Sequence, residues 1–198
     1  IKDAQGNKRA LDGAGEMEIK VKGMMTTTIG ESTGAVIDFD LRRAIVYQSG
    51  STAEFEFVTD AELQNAVRIV EKNTTGSITG KVADGVSGSE KIIVYAYDKG
   101  DFEEDEKFPQ GASQIMFKNA ISSAVVNADG EFKLAFLEKG QYELHFISYT
   151  QNPQGQLQAR GELQMNILSA GTIDLLGLQV NSDETVDVDL KVAALLFF

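Results

Sequence analysis

Alternation of apolar and polar residues is the clearest pattern in this chain of 198 residues, and stretches with a helical period are nearly absent. In the first third of the chain the alternation predicts half-exposed strands over 17–21, 35–39 and 54–58. Asp40 is placed to cap a single helical turn over 41–46. The run 61–70 fits a short helix and a strand equally well.

The pattern is more regular beyond residue 78. The continuous apolar run 91–97 predicts a strand that is buried on both faces. Asn127-Ala128-Asp129-Gly130 predicts a hairpin turn, because Gly130 takes a positive φ at no steric cost. Further strands are predicted over 78–82, 115–126, 132–136, 142–146, 160–167, 171–180 and 186–192. Short strands at this spacing, about seven in all, predict an all-β chain folded as a two-sheet sandwich.

The most turn-like stretch near the middle is Asn73-Thr74-Thr75-Gly76-Ser77. A domain boundary is predicted there, which gives a small β-rich domain over 1–75 and a β-sandwich over 76–198. The two parts differ in formal charge. The first has 9 basic and 12 acidic residues, a net of −3, and the second has 9 and 18, a net of −9.

Three segments of the second part resemble the carboxypeptidase regulatory-like domain. They are Gly76-Ser77-Ile78-Thr79-Gly80-Lys81-Val82, Asn127-Ala128-Asp129-Gly130-Glu131-Phe132 and Phe136-Leu137-Glu138-Lys139-Gly140-Gln141-Tyr142-Glu143-Leu144. The usual signature of that family is a G-x-V/I-x-G-x-V start, an A-D-G-x-F turn and a G-x-Y-x-L strand. The match covers most of 76–198. The resemblance implies a seven-stranded transthyretin-like sandwich of Greek-key type.

The segments 37–46 and 67–70 resemble the end of an uncharacterised bacterial β-domain family that is typical of exported lipoproteins. The resemblance implies that 1–75 is the C-terminal part of a larger exported β-domain. It also implies a cell-surface location, either anchored to the outer membrane or secreted. No catalytic residue is carried over from either family.

The composition narrows the classes of function. A net charge of −12 repels phosphate backbones and anionic lipid, which disfavours nucleic acid as a partner. The chain has no cysteine, so disulfides and thiolate metal sites are excluded. No apolar run approaches the roughly 20 residues that a membrane-spanning helix needs. Since the sequence begins at Ile1 without a signal peptide, we expect either processing or a longer precursor.

Gly30-Glu31-Ser32-Thr33-Gly34 matches the G-x-S-x-G pattern of a serine nucleophile. That pattern needs a strand before the serine and a helix after it, whereas 35–39 is predicted to be a strand. The single histidine, His145, is predicted to lie on the solvated outer face of its strand, away from a catalytic role. The sequence therefore predicts no catalytic residue and no enzyme.

The stretch 101–106 holds five carboxylates in six residues. Clustered oxygen ligands hold hard cations, so Asp101, Glu103 and Asp105 are candidate calcium ligands. The stretch lacks the spacing and the central glycine of an EF-hand loop. The alternative is that these carboxylates stay hydrated and the protein has no cofactor.

The carboxyl terminus is apolar on both faces over Ala194, Leu195, Leu196, Phe197 and Phe198. A strand of this kind in water is a site of unwanted pairing. Two interpretations remain open. The segment is either the last strand, buried between the two domains of its own chain, or an assembly strand that adds to the sheet of a neighbouring subunit.

The function that these patterns predict is a non-enzymatic structural or adhesive protein of the bacterial cell surface. It would act as a filament or pilus-type subunit that pairs with itself or with another surface protein by β-strand addition. The alternative is a surface or periplasmic lipoprotein module that binds glycan or calcium, with the five tyrosines stacking on sugars.

Overall fold

In a computed structural model of the chain, the residues described are 8–12, 18–21, 23, 25–30, 32–47, 55–85, 88–152, 156–169 and 173–198. Strands dominate, and the predicted all-β class is confirmed. The strands are β1 (Leu11–Asp12), β2 (Ala35–Phe39), β3 (Ile45–Tyr47), β4 (Phe55–Phe57), β5 (Val67–Glu71), β6 (Thr75–Ala83), β7 (Lys91–Asp98), β8 (Ser122–Val125), β9 (Glu131–Glu138), β10 (Gly140–Gln151), β11 (Leu157–Ile167), β12 (Leu178–Val180) and β13 (Thr185–Phe197). The helices are α1 (Leu41–Ala44) and α2 (Asp60–Asn65), with 3-10 turns at Lys72–Thr74 and Glu104–Lys107. No described helix is long and apolar enough to cross a membrane.

The strands β6 to β13 form one sheet of eight strands, where about seven strands in two sheets were predicted. Its order is β8-β7-β10-β11-β13-β6-β9, and β12 pairs with the first residues of β10 beside β11. The sheet curls so far that β8 and β9, at its two ends, contact each other. The turn predicted at 127–130 lies between them, with Gly130 at φ 82° and its amide donating to the Asn127 carbonyl, but β8 and β9 do not pair with each other, so it does not close a hairpin.

The concave side of the curled sheet encloses the main hydrophobic core. Alternate residues of facing strands supply it, as the period of two predicts. Its members include Ile78, Val94, Phe132, Leu134, Leu144, Phe146, Leu163, Val188 and Leu190. Burial of this apolar surface is the main force that holds the curl closed.

The convex side is covered where β7 and β10 lie. The loop between β7 and β8, residues 99–121, folds back over this side, and we call it the convex loop. It buries Phe117 and Ala120 against Tyr95 and Ile147. Every residue of β7 except its two ends is therefore buried, which confirms the strand predicted over 91–97. The strand predicted over 115–126 is shortened to β8, because 116–121 belong to this covering loop.

The first part of the chain forms two small sheets, in which β2 pairs with β5 and β4 lies between β1 and β3. Asp40 caps α1 as predicted, its carboxylate accepting a hydrogen bond from the Arg42 amide. The ambiguous run 61–70 divides into the end of α2 and most of β5. The strand predicted over 17–21 is wrong for its described residues: 18–21 are irregular, and Ile19 packs against an apolar cluster instead.

This first part packs against the large sheet. Arg43 donates through Nη1 to the Lys118 carbonyl at 2.8 Å, and Arg68 donates through Nη1 to the Phe136 carbonyl at 2.9 Å. Ile115, from the loop over the convex side, is buried in the apolar cluster of the first part. The chain passes into the large sheet at Thr75, where β6 begins, one residue before the predicted start at 76.

Glu62 is a second link between the two parts. Its carboxylate accepts hydrogen bonds from the amide and hydroxyl of Ser113, at 3.1 and 2.6 Å, and from the hydroxyl of Thr59 at 2.7 Å. These bonds, those from Ser113 first, lower the pKa of Glu62 to about 2. The ionised carboxylate thus closes the capping box of α2 and also ties that helix to the convex loop.

We expect the stability that Glu62 contributes to depend on pH. Its pKa is depressed in the folded state, so the contribution is present in full above the ordinary value of 4.5 and is lost as the pH falls towards 2. Between pH 7 and pH 3 the free energy of unfolding, measured with urea, should therefore fall less in Glu62→Gln than in the wild type. Glu103→Gln, at an exposed carboxylate, is the control. Equal acid losses in all three proteins would contradict the assignment.

Candidate assembly surface

The last strand projects beyond its neighbour on one side. Over its first half β13 lies between β11 and β6, but the pairing with β6 ends where Lys191 meets Ala83. From Val192 to Phe197 it is paired only with β11, as far as Gly161. We call 192–198 the tail, and the side of 192–197 that faces away from β11 the tail edge. Among the described residues no strand pairs with the tail edge.

The main-chain groups at the tail edge can be assigned from the hydrogen bonds on the other side. The Phe198 amide donates to the Arg160 carbonyl at 3.2 Å. Since hydrogen-bonding direction alternates along an antiparallel strand, Leu196 also faces β11. Leu195 and Phe197 therefore direct their N–H and C=O groups at the tail edge. A register shift beside Gln164 makes Ala193 the extra residue of a bulge, so the regular part of the tail is 194–198.

The tail is only partly buried. Leu195 packs against the main core, whereas Leu196, Phe197 and Phe198 are 49%, 71% and 42% exposed. The tail is the end of β13, the last strand along the chain, and it is paired within its own sheet, as one interpretation of the sequence predicted. It is not buried between two domains. Contiguous exposed apolar residues of this kind mark interaction sites more often than isolated ones do.

The convex loop lies against the tail. Phe108, which is 54% exposed, has its ring centroid 6.4 Å from that of Phe198. The Lys107 ammonium is 5.9 Å from the centre of the Phe198 ring, and the Arg160 guanidinium is 5.6 Å from that of Phe197. Cations at this distance are attracted to the faces of aromatic rings. The convex loop, through Lys107 and Phe108, and the tail thus form one surface.

A row of ion pairs runs beneath this surface. The Lys107 ammonium lies 2.7 Å from a Glu104 carboxylate oxygen and 2.9 Å from one of Glu162 on β11. Burial lowers the pKa of Lys107, but the bonds to the two glutamates outweigh it and raise the pKa. Burial would likewise raise the pKa of Glu162, but hydrogen bonds from His145 and Lys107 outweigh it and lower the pKa. These contacts fix the convex loop to β11 next to the tail.

The prediction that His145 is solvated is wrong. It lies on the convex face of β10 as expected, but the convex loop covers that face, and the histidine is 8% exposed. Its Nδ1 is 2.7 Å from Glu162 Oε1, and the Phe102 ring stacks on it with 3.7 Å between centroids. Its Nε2 is buried with no hydrogen-bond partner in the described part of the chain. Because an ionised carboxylate only accepts hydrogen bonds, Nδ1 is the donor to Glu162.

Ser32 has no contact with this histidine. His145 Nδ1 bonds to Glu162, and His145 Nε2 has no hydrogen-bond partner in the described part of the chain. The carbonyl of Ser32 accepts a hydrogen bond from the Asn73 side chain. A strand, β2, follows the G-x-S-x-G stretch, as predicted. The described residues therefore do not bring together a serine nucleophile and its base.

The three candidate calcium ligands, Asp101, Glu103 and Asp105, are all exposed. Asp101 and Glu103 precede a short 3-10 turn and Asp105 lies within it, and no group of three potential ligands among the described residues could hold a metal ion. The neighbouring acids are used differently: Glu104 pairs with Lys107, and Glu106 is buried. Calcium binding stays a prediction that has not been tested.

The glycan hypothesis loses the feature that motivated it. Of the five tyrosines, only Tyr47 is more than slightly exposed, and the other four are buried: Tyr95, Tyr97, Tyr142 and Tyr149. Tyr95 and Tyr149 bond to each other through their hydroxyls at 2.7 Å. Buried tyrosines support the fold and cannot stack on a sugar.

The His145–Glu162–Lys107 row and the buried Glu106 were not found from the sequence. One signal for them is present, since Phe146-Ile147-Ser148-Tyr149 lacks the polar alternation of an exposed face. That stretch indicates burial on both faces of β10, and hence a cover over the convex side.

No family model matches this chain, and no curated protein does. Two solved structures are similar to it, both of BcpA, the major pilin subunit of Bacillus cereus. The first is 17% identical and covers 64% of this chain and 31% of the pilin, with a TM-score of 0.30. The second, a variant with one aspartate replaced by alanine, is 14% identical and covers 71% and 37%, with a TM-score of 0.31. The chain thus spans about a third of the length of these pilin structures. TM-scores this low carry no argument about what this chain does.

Proposed function

We propose that this chain is a non-enzymatic structural or adhesive protein of a bacterial cell surface, which associates with copies of itself by β-strand addition at the tail edge. One observation carries the proposal. The tail presents unpaired main-chain groups and exposed apolar side chains at the same place. Natural proteins normally block such an edge with charge, proline or a covering element. The regular part of the tail has no charged residue and no proline, and no described strand pairs with its edge.

Export and the two family resemblances belong to the same proposal. The segments that resemble the carboxypeptidase regulatory-like domain lie in β6, in the turn between β8 and β9, and across the junction of β9 and β10. They thus occupy strands and turns of the large sheet, which is one curled sheet and not the two-sheet sandwich that the resemblance implies. We assign 1–75 to the C-terminal part of an exported lipoprotein β-domain on the resemblance alone.

Removal of the tail should abolish self-association. In the wild type we expect the mass in solution to rise with concentration above the 21.5 kDa of one chain. Deletion of 193–198 removes both the open edge and the apolar side chains, so this variant should remain at the mass of one chain. Sedimentation velocity over a range of concentrations measures the difference.

A milder variant separates loss of the edge from loss of the fold. Phe197→Lys keeps the strand and places a charge at the open edge, a device by which natural edge strands avoid pairing. The matched control is Leu176→Lys, at a leucine that is 53% exposed in the loop before β12. Association that survives Phe197→Lys, or a wild type that stays monomeric at every concentration, would refute the proposal.

A further inference from the structure

We infer that the tail edge pairs with the tail edge of a second copy, antiparallel and around a two-fold axis. The inference rests on the proposed self-association and names its partner. An edge that is apolar on both faces needs a strand that is also apolar on both faces. Among the described strands with an open edge, the tail alone has five consecutive apolar residues, 194–198.

Charge favours the same partner. The chain carries −12, and the outer face of the preceding half of β13 bears Asp187 and Asp189. The segment 192–198 has no charged residue, so two copies can meet there without opposing carboxylates. A tail against a tail is also self-complementary, which is what an interface with two-fold symmetry requires.

The hydrogen-bonding directions fix the register. Leu195 and Phe197 are the residues of the regular tail that direct their main-chain groups at the open edge. The pairing that satisfies both sets Leu195 of one copy opposite Phe197 of the other, and Phe197 opposite Leu195. Leu196 then lies on the two-fold axis, opposite Leu196 of the second copy. Ala194 meets Phe198, so a small residue faces a large one.

This interface closes on itself. Each copy uses its one tail edge, and a two-fold contact gives a dimer in which the two eight-stranded sheets become continuous. A longer filament would need a second, separate surface. The tail-to-tail pair is thus the unit from which any larger assembly is built.

A single introduced cysteine tests the register, because the chain has no cysteine of its own. Opposed residues of a non-hydrogen-bonded antiparallel pair have Cα atoms about 4.5 Å apart, within the range that a disulfide spans. Leu196→Cys, oxidised with oxidised glutathione, should therefore yield a disulfide-linked dimer as the main product. Asp189→Cys is the control: it is exposed in the same strand, but seven residues from the axis, and should give no disulfide-linked dimer.

The outcomes distinguish the inference from the proposed function. If Leu196→Cys gives no linked dimer while the wild type associates and Phe197→Lys abolishes association, the tails are not paired around Leu196. The inference is then wrong, and the proposed function stands. If the wild type does not associate at all, both are wrong.

The salt dependence of the dimer dissociation constant is an independent test of the interface. Two copies of charge −12 repel each other, and the screening length falls from about 10 Å at 0.1 M salt to about 3 Å at 1 M. We expect the dimer dissociation constant of the wild type to fall over this range. A dissociation constant that rises with salt would overturn the inference, since it would indicate an interface held by ion pairs.

Discussion

Glu106→Ala is expected to destabilise the protein by roughly 3 kcal/mol or more. Glu106 is 1% exposed, and its carboxylate accepts hydrogen bonds from the Tyr97 hydroxyl at 3.2 Å and from the amide and side chain of Asn119 at 3.0 and 2.6 Å. Alanine would leave the buried Tyr97 hydroxyl without an acceptor, which costs about 1–3 kcal/mol, and would also remove the two bonds from Asn119 to a charged acceptor. Urea unfolding at pH 7 measures the loss.

Two variants make this result specific. Glu106→Gln keeps one acceptor oxygen and should lose less than the alanine variant. Glu104→Ala lies in the same 3-10 turn, but its side chain is 79% exposed and pairs only with Lys107, so its loss should stay below about 1 kcal/mol. If Glu106→Ala were no more harmful than Glu104→Ala, Glu106 would not be what anchors the convex loop.

Gly161→Ala is expected to cost about 1–3 kcal/mol and to displace the tail from β11. A Cβ atom at Gly161 would lie 2.1 Å from the Leu196 carbonyl oxygen and 2.8 Å from the Phe197 Cα. Both are main-chain atoms, so no side-chain rotation can relieve the clash. Hydrogen exchange should accelerate at the amides of Leu196 and Phe198, which face β11.

Gly140→Ala is the matched control. It adds the same methyl group to another strand glycine, but there the nearest atoms are in the Tyr142 ring, at an ordinary 3.6 Å. Its unfolding free energy should change little, and tail exchange should stay at the wild-type rate. Tail exchange that is equally slow in Gly161→Ala would show that the close approach of β11 and β13 is not needed to hold the tail.

The same variant distinguishes two ways in which the tail can assemble. If the tail pairs while it remains in its own sheet, as the two-fold dimer requires, Gly161→Ala weakens association. If instead the tail leaves its sheet to complete that of a neighbour, releasing it strengthens association. Sedimentation of Gly161→Ala beside the wild type decides between these mechanisms.

The acidic stretch 101–106 shows that tertiary contacts decide what a local cluster of charged residues does. Five carboxylates in six residues indicate a cation site when only the sequence is considered. In the fold, Glu106 accepts a hydrogen bond from the buried Tyr97 hydroxyl, and the exposed Glu104 pairs with Lys107. The use of Glu106 depends on Tyr97 and Asn119, which lie 9 and 13 residues away and which the spacing of the acidic residues does not reveal.

The sequence by itself determined the class and most of the strands. The alternation in β9 and β10, the unbroken run of β7 and the turn at Gly130 depend on rules that act over a few residues, so they can be read locally. The apolar character of 194–198 also followed directly from the sequence. What the sequence could not determine was which side of each strand would be covered.

Only the tertiary structure decided that coverage, because it depends on contacts between distant segments. The convex loop buries His145, which a period of two had assigned to solvent. The strand β6 stops opposite Lys191 and leaves the tail edge open. Alternation places side chains on the two faces of a strand, but long-range packing decides whether each face and each edge meets protein or water.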